Sequence, residues 1–240
     1  MRLGRMWTYS HYFVTLTSIL LTAQLFHGMD TIIVQAGLRK PYYGVHVVHN
    51  LMIVGLTMTD VWNSFAQFNT LHLYEPNQAA AALCYALHLY HVMYYWRSFR
   101  FDDWLHHGLM VCIALPLSQQ LRAGPLLGAN LFFTTGLPGA ISYGLLFAER
   151  NGWLSTLTTK RWNAATNVWI RAPGCVMQAT LEFLTIFTMP RISADQRVAT
   201  FLIAFLTAWN GLYFMQQAVS SRANMVAQGL PQPQPQPLQP

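Results

Sequence analysis

The sequence predicts an all-α, polytopic membrane protein of seven transmembrane helices, and three observations carry that prediction. Of its 240 residues, 53% are apolar and only 9% are charged, whereas soluble globular domains carry roughly 25% charged residues. An exterior that poor in charge has to face lipid. Runs of about 20 mostly apolar residues, the length that crosses a hydrocarbon core, occur seven times. Those runs are too long and too evenly apolar for barrel strands, which alternate, and a helix satisfies all its own backbone groups. A cytosolic enzyme, a disordered chain and a secreted disulfide scaffold are excluded. The 14 Lys and Arg against 8 Asp and Glu give a net charge of +6. These charges sit singly between apolar runs, as membrane loops require, so no nucleic-acid partner is expected.

The first run extends from His11 to Phe26, behind Arg2 and Arg5. Such a start looks like a signal-peptide n-region, but no small-x-small cleavage site follows it, so we read it as a retained first span. Residues 1–40 form an N-terminal arm containing this span, and residues 41–220 form the membrane domain. The second run is Gly44 to Phe68, the third Gln78 to Trp96, and the fourth Asp103 to Leu121. The fifth is Pro125 to Ala148, the sixth Ala165 to Met189, and the seventh Arg197 to Ala218. The fifth is dense in Gly and Pro. Gly124 and Gly128 are a small-xxx-small pair suited to close helix contact, and Pro138 should kink its helix. Cys84, Cys112 and Cys175 all fall inside apolar runs, where thiols act as small packing residues. Residues 221–240, ending PQPQPQPLQP, read as a disordered Pro/Gln tail open to a proline-reading partner.

Orientation follows the positive-inside rule. The side of the N-terminus holds Arg2, Arg5, Arg122, Arg191 and Arg197. The opposite side holds Arg39, Lys40, Arg97, Arg100, Arg150, Lys160, Arg161 and Arg222. Eight against five makes the second side, and with it the C-terminus, cytosolic.

Ionisable groups in hydrocarbon are costly, so each is a functional hypothesis with a partner to find. The stretch ALHLYHVMYYWRSFRFDDWLHHGLMVCIALPL places His88 and His91 on the third span, and Asp102, Asp103, His106 and His107 at the start of the fourth. Asp102 to His106 and Asp103 to His107 are i,i+4 spacings, which bring side chains onto one helix face. A carboxylate there can accept an imidazole N–H, set its tautomer and raise its basicity. His106 and His107 lie about 100° apart around a helix, so one would act and the other orient or bind. The plainer alternative is that Asp102 or Asp103 caps the fourth helix. His46, His49 and Asp60 share roughly one face of the second span, spread over some 16 Å. They suit an interior polar path but not a single catalytic centre. Arg171 and Glu182 share a face of the sixth span, and each should meet a group on another helix. For all of these, interhelical hydrogen bonding is the bland alternative.

The segment RFDDWLHHGLMV, after a tyrosine-rich span and before LPLS, resembles the TLC-domain family. That family includes ceramide synthases, translocating-chain-associated proteins and small membrane-lipid regulators. Its acidic residue before a His–His pair corresponds here to Asp102 or Asp103 with His106 and His107. More loosely, the resemblance runs from about Tyr43 to Gln217. It implies a six-helix TLC-like bundle around a polar cavity, with the His pair near the cytosolic mouth and His88, His91, Arg171, Glu182 and Asp60 available to line the cavity. It further implies residence in the endoplasmic reticulum and, for the synthases, acyl-CoA-dependent N-acylation of a long-chain amine, with no bound cofactor or metal. The chain departs from the synthases in its fifth span, which has no Asp and no His before Glu149. Two readings therefore stand beside acyl transfer. One is a non-enzymatic regulator of membrane lipids, or a cargo adaptor, on the same fold. The other, prompted by nine histidines, is a histidine-rich metal oxidoreductase. The metal reading is disfavoured because no HxxHH box exists and His46 and His49 lie on a different span.

Overall fold

A computed structural model describes residues 3–119, 123–190 and 192–229, with only the backbone of 3–14 and of Asp102. Of the segment 221–240 expected to be a disordered tail, residues 221–227 continue the last helix, while Leu230 onward, like Arg122 and Arg191, lies outside the described residues. All regular structure among the described residues is helical, arranged as seven continuous rods with short 3₁₀ segments at Phe68–Leu73 and Trp96–Ser98. They are α1 (Leu3–Gln35), α2 (Pro41–Ala66), α3 (Gln78–Tyr95), α4 (101–118), α5 (Gly124–Arg150), α6 (156–188) and α7 (Ala194–Ala227). Each apolar run coincides with one rod. Residues 15–35 of α1, all of α5 and all of α7 are long and apolar enough to cross a membrane.

The run ending at Phe26 continues as helix to Gln35. Polar groups along this helix find partners on α3. Tyr94 donates to Gln24 at 2.9 Å and stacks on His27, while Tyr90 and Tyr95 both donate to the buried Asp30 carboxylate. Helix starts follow local chemistry. Lys40 takes a left-handed conformation (φ 56°) and Pro41 opens α2. Proline suits that position because its missing N–H would have no helical partner. Asn77 caps α3 by accepting from Ala80 N–H at 3.1 Å, and Ser193 and Gln196 form a reciprocal cap on α7.

Three rods contain a π-helical stretch: 108–114 in α4, 132–136 in α5 and 167–171 in α6. Each is followed, two residues on, by a proline: Pro116, Pro138 and Pro173. A proline ring collides with the carbonyl four residues back and offers no N–H. Widening the preceding turn absorbs both defects without breaking the rod.

Helix neighbours follow the order α2–α3–α4–α7–α6–α5 and return to α2, and α1 lies outside against α2 and α3. Close approach relies on missing side chains. A Cβ on Gly128 would overlap the Asp60 carboxylate, one on Gly124 the Tyr74 carbonyl, and one on Gly174 the Phe133 ring. The small-xxx-small reading of α5 is thus met by α2 and its following connection. Large apolar side chains such as Leu25, Trp62, Phe187 and Phe205 are exposed around the outside.

The connections define two ends. Asn151 accepts from Arg39 N–H at 2.8 Å and donates to the Arg39 carbonyl at 3.1 Å, joining the α1–α2 and α5–α6 turns. Lys160 donates to Ser221 at 2.8 Å, bringing the end of α7 to the same place. At the opposite end, Asn77 donates to Asp60 at 2.7 Å and Gly124 meets the chain at Tyr74 and Glu75.

Candidate functional site: an imidazole cluster

At the end holding the 36–40, 96–100 and 151–155 connections, α2, α3 and α4 each contribute histidine to one cluster. His46 comes from α2, His88 and His91 from α3, and His106 and His107 from α4. His46 and His91 stack with centroids 4.6 Å apart, and His91 meets His107 at 5.4 Å. His88 lies 6.1 Å from His91, 5.1 Å from His107 and 5.6 Å from His106. Tyr143 of α5 stacks on His46 at 3.9 Å, Tyr42 packs on His91 at 4.7 Å and Phe99 covers His107 at 4.6 Å. His46, His88, His91 and His107 are buried, while His106 is exposed.

Hydrogen bonds assign the tautomers. Nδ1 of His46, His88 and His107 each lies 2.7 Å from the backbone carbonyl four residues earlier, those of Tyr42, Cys84 and Asp103. A carbonyl only accepts, so each Nδ1 carries hydrogen and each neutral ring keeps its lone pair on Nε2. His91 Nδ1 lies 3.3 Å from His107 Nε2. Because His107 is protonated on Nδ1, His91 donates in this contact. His91 Nε2 is then a buried lone pair without a hydrogen-bond partner. The cluster is a set of acceptors, with the chain His91–His107–Asp103 carbonyl running back to the α4 backbone.

The Asp103 carboxylate takes a different partner from the imidazole that the spacing suggested. Asp103 uses its carboxylate to accept from Arg100 N–H at 2.8 Å, capping α4, with the Arg100 guanidinium 3.9 Å away on the exposed surface. Its contribution to His107 is its backbone carbonyl. The side chain of Asp102 lies outside the described residues. His46, assigned by spacing to a separate polar path, joins the cluster because α2 and α3 pack side by side. His49 lies apart from it, its Nδ1 3.0 Å from Asn50 Oδ1 and its ring edge-on to Phe26.

The remaining cavity candidates, Arg171, Glu182 and Asp60, make their hydrogen-bond and ring contacts away from the clustered rings. Arg171 is buried, bonds Asn167 at 3.1 Å within its own helix, lies over the Phe214 ring of α7 and leaves Nε without a partner. Glu182 sits further along α6 with Asn130 as a donor at 2.8 Å. Asp60 is at the opposite end of α2 with Asn77 and Gly128. Spacing did not single out Asp30, Tyr42 or Tyr143. Asp30 carried a usable signal, an ionisable residue one turn beyond a span and in helical register with His27. No spacing rule marks a lone tyrosine.

Among the described residues, no three His, Cys, Asp or Glu side chains are arranged to hold a metal ion. No protein-family model, curated protein or solved structure matches the chain.

Proposed function

We propose that this chain is a seven-span, TLC-type lipid-handling protein whose imidazole cluster promotes acyl transfer from acyl-CoA to a long-chain amine. In this reading it resides in the endoplasmic reticulum with the cluster and the C-terminus on the cytosolic side. One observation carries the proposal: Nε2 of His91 is a buried lone pair whose ring is oriented from behind by His107. A base held this way resembles the oriented imidazole of a hydrolase triad, with the second histidine in the place of the carboxylate. As the amine nitrogen bonds to the thioester carbonyl carbon, His91 Nε2 takes its proton. The C–S bond breaks, and the departing CoA thiolate recovers that proton from the imidazolium. Donation from His91 Nδ1 to His107 Nε2 stabilises the imidazolium in between. Arg171, with Nε unpartnered, supplies positive charge for the oxyanion that develops at the carbonyl. His106, exposed beside the cluster, binds or orients substrate. The excess of Lys and Arg at this end suits the phosphates of CoA.

The test is turnover of labelled long-chain acyl-CoA with an amine acceptor by protein in lipid nanodiscs. Replacing a positioned base removes about 10²–10⁴-fold in rate. His91→Ala should lose at least 100-fold, His107→Ala should lose less, and His72→Ala, at the opposite end, should match wild type. Unchanged turnover in both cluster variants removes the mechanism. A second reading, non-enzymatic lipid regulation or cargo binding, is favoured by the close stacking of His46 on His91 and Tyr143, an arrangement that also serves as a rigid core. Wild-type protein without turnover, but with a lipid retained through purification, selects that reading.

A further inference from the structure

A groove runs between α6 and α7 at the end of the molecule that holds the imidazole cluster. It has a volume of about 200 Å³ and is lined by Ala164, Ala165, Val168 and Trp169 of α6 with Val219 and Arg222 of α7. Ala164 is buried beneath it, while Trp169 is 78% exposed and Val219 is also exposed. The groove therefore opens outward, away from the interior of the bundle. Its walls straddle the edge of the hydrocarbon. The sixth apolar run begins at Ala165 and the seventh ends at Ala218, four residues before Arg222. Four residues are about 6 Å of helix, which puts Arg222 at headgroup level and Trp169 among the first acyl carbons. Trp162 and Trp169 are both exposed here, and tryptophan gathers at that boundary.

Charge at the mouth is of one sign. Arg161 lies one turn before Ala165 on the same face of α6, and Lys160 donates at 2.8 Å to Ser221, the neighbour of Arg222. The chain has no Asp or Glu between Glu149 and Glu182, and none after Asp195. Glu149 accepts from Thr156 at 3.1 Å, and the one ion pair among the described residues is that of Arg100 with Asp103. Three cations thus stand above an apolar floor with no ion-paired carboxylate among the described residues.

We propose that this groove binds one anionic phospholipid, its phosphate held by Arg222 with Arg161 and Lys160 beside it, and an acyl chain laid over Ala165, Val219 and Trp169. A guanidinium offers paired N–H donors that match phosphate oxygens, and basic pockets between spanning helices take anionic head groups. Free phosphate would satisfy the mouth and leave the apolar floor bare, whereas a phospholipid covers both. The site needs α7 to cross a membrane, for which it is long and apolar enough. It does not need acyl transfer and shares no residue with the cluster.

The test is native mass spectrometry of the full chain in detergent, titrated with phosphatidylserine or phosphatidylcholine of identical acyl chains. Wild type should take up one phosphatidylserine saturably, at a concentration at least fivefold below that for phosphatidylcholine. Arg222→Gln should weaken phosphatidylserine binding about fivefold and leave phosphatidylcholine unchanged. Val219→Trp, which fills the groove and keeps its charge, should weaken both lipids. Arg197→Gln, at the other end of α7, should match wild type. Equal wild-type affinity for the two lipids overturns the anionic headgroup. A preference that survives Arg222→Gln, binding indifferent to Val219→Trp, or an equal loss in Arg197→Gln overturns the placement. Each of these failures leaves the acyl-transfer reading standing, because turnover reads the imidazole cluster.

Discussion

Asp30 shows at the scale of one residue how a costly group becomes structural. Its carboxylate accepts from both Tyr90 and Tyr95, and each bond crosses from α1 to α3. Hydrogen bonds to charged groups contribute about 1.5–3 kcal/mol each, and a buried donor left alone costs about 1–3 kcal/mol. Asp30→Ala should therefore destabilise the protein by about 3 kcal/mol, read as a lower unfolding midpoint in detergent. Thr31→Ala, an exposed position that bonds only the His27 carbonyl, should leave the midpoint unchanged. Equal midpoints for the two variants would remove the clamp between α1 and α3. The same logic separates Asp103 from the histidines beside it. Its carboxylate had two candidate partners, an imidazole or an unsatisfied backbone N–H at a helix start, and the cap took it.

At the scale of elements, glycine contact and proline relief decide how the rods approach. Gly128 has no room for a Cβ because Asp60 of α2 occupies that space, while Gly55 on the same α2 has nothing within 4 Å. Gly128→Ala should cost about 1–3 kcal/mol through overpacking. Gly55→Ala should be neutral or stabilise by about 0.5–1 kcal/mol, since alanine loses less backbone entropy in a helix. A chemical-unfolding series on both variants checks this, and equal stabilities would sink the close-contact assignment. The Gly124/Gly128 spacing was legible in the sequence because it is local. The π stretches were legible only in part. Pro138 announced a distortion of α5, but whether a rod kinks or widens depends on neighbours that hold it straight.

At the scale of the whole molecule, the ring of helices puts the imidazole cluster at one end and Asp60 at the other, with Glu182 between the elements of α5, α6 and α7. This arrangement predicts sidedness. In a background with Cys84, Cys112 and Cys175 replaced, Ser98→Cys and Arg222→Cys should react with an impermeant maleimide from the same face of sealed vesicles. Leu73→Cys and Asp195→Cys, at the other end, should react from the opposite face. Labelling of Ser98→Cys and Leu73→Cys from one face would contradict the alternation of the rods.

The amino-acid sequence alone determined that the chain is helical, where its seven rods lie, and that histidine gathers around the α3–α4 turn. Those properties depend on composition and on spacings of three or four residues, which a helix converts directly into shared faces. Only the tertiary structure decided that His46 joins His88, His91 and His107, that Asp103 serves a cap, and that Glu182 meets Asn130 of α5. Each of these depends on which rod stands beside which, and a side chain's partner on another helix is set by packing that no local period encodes.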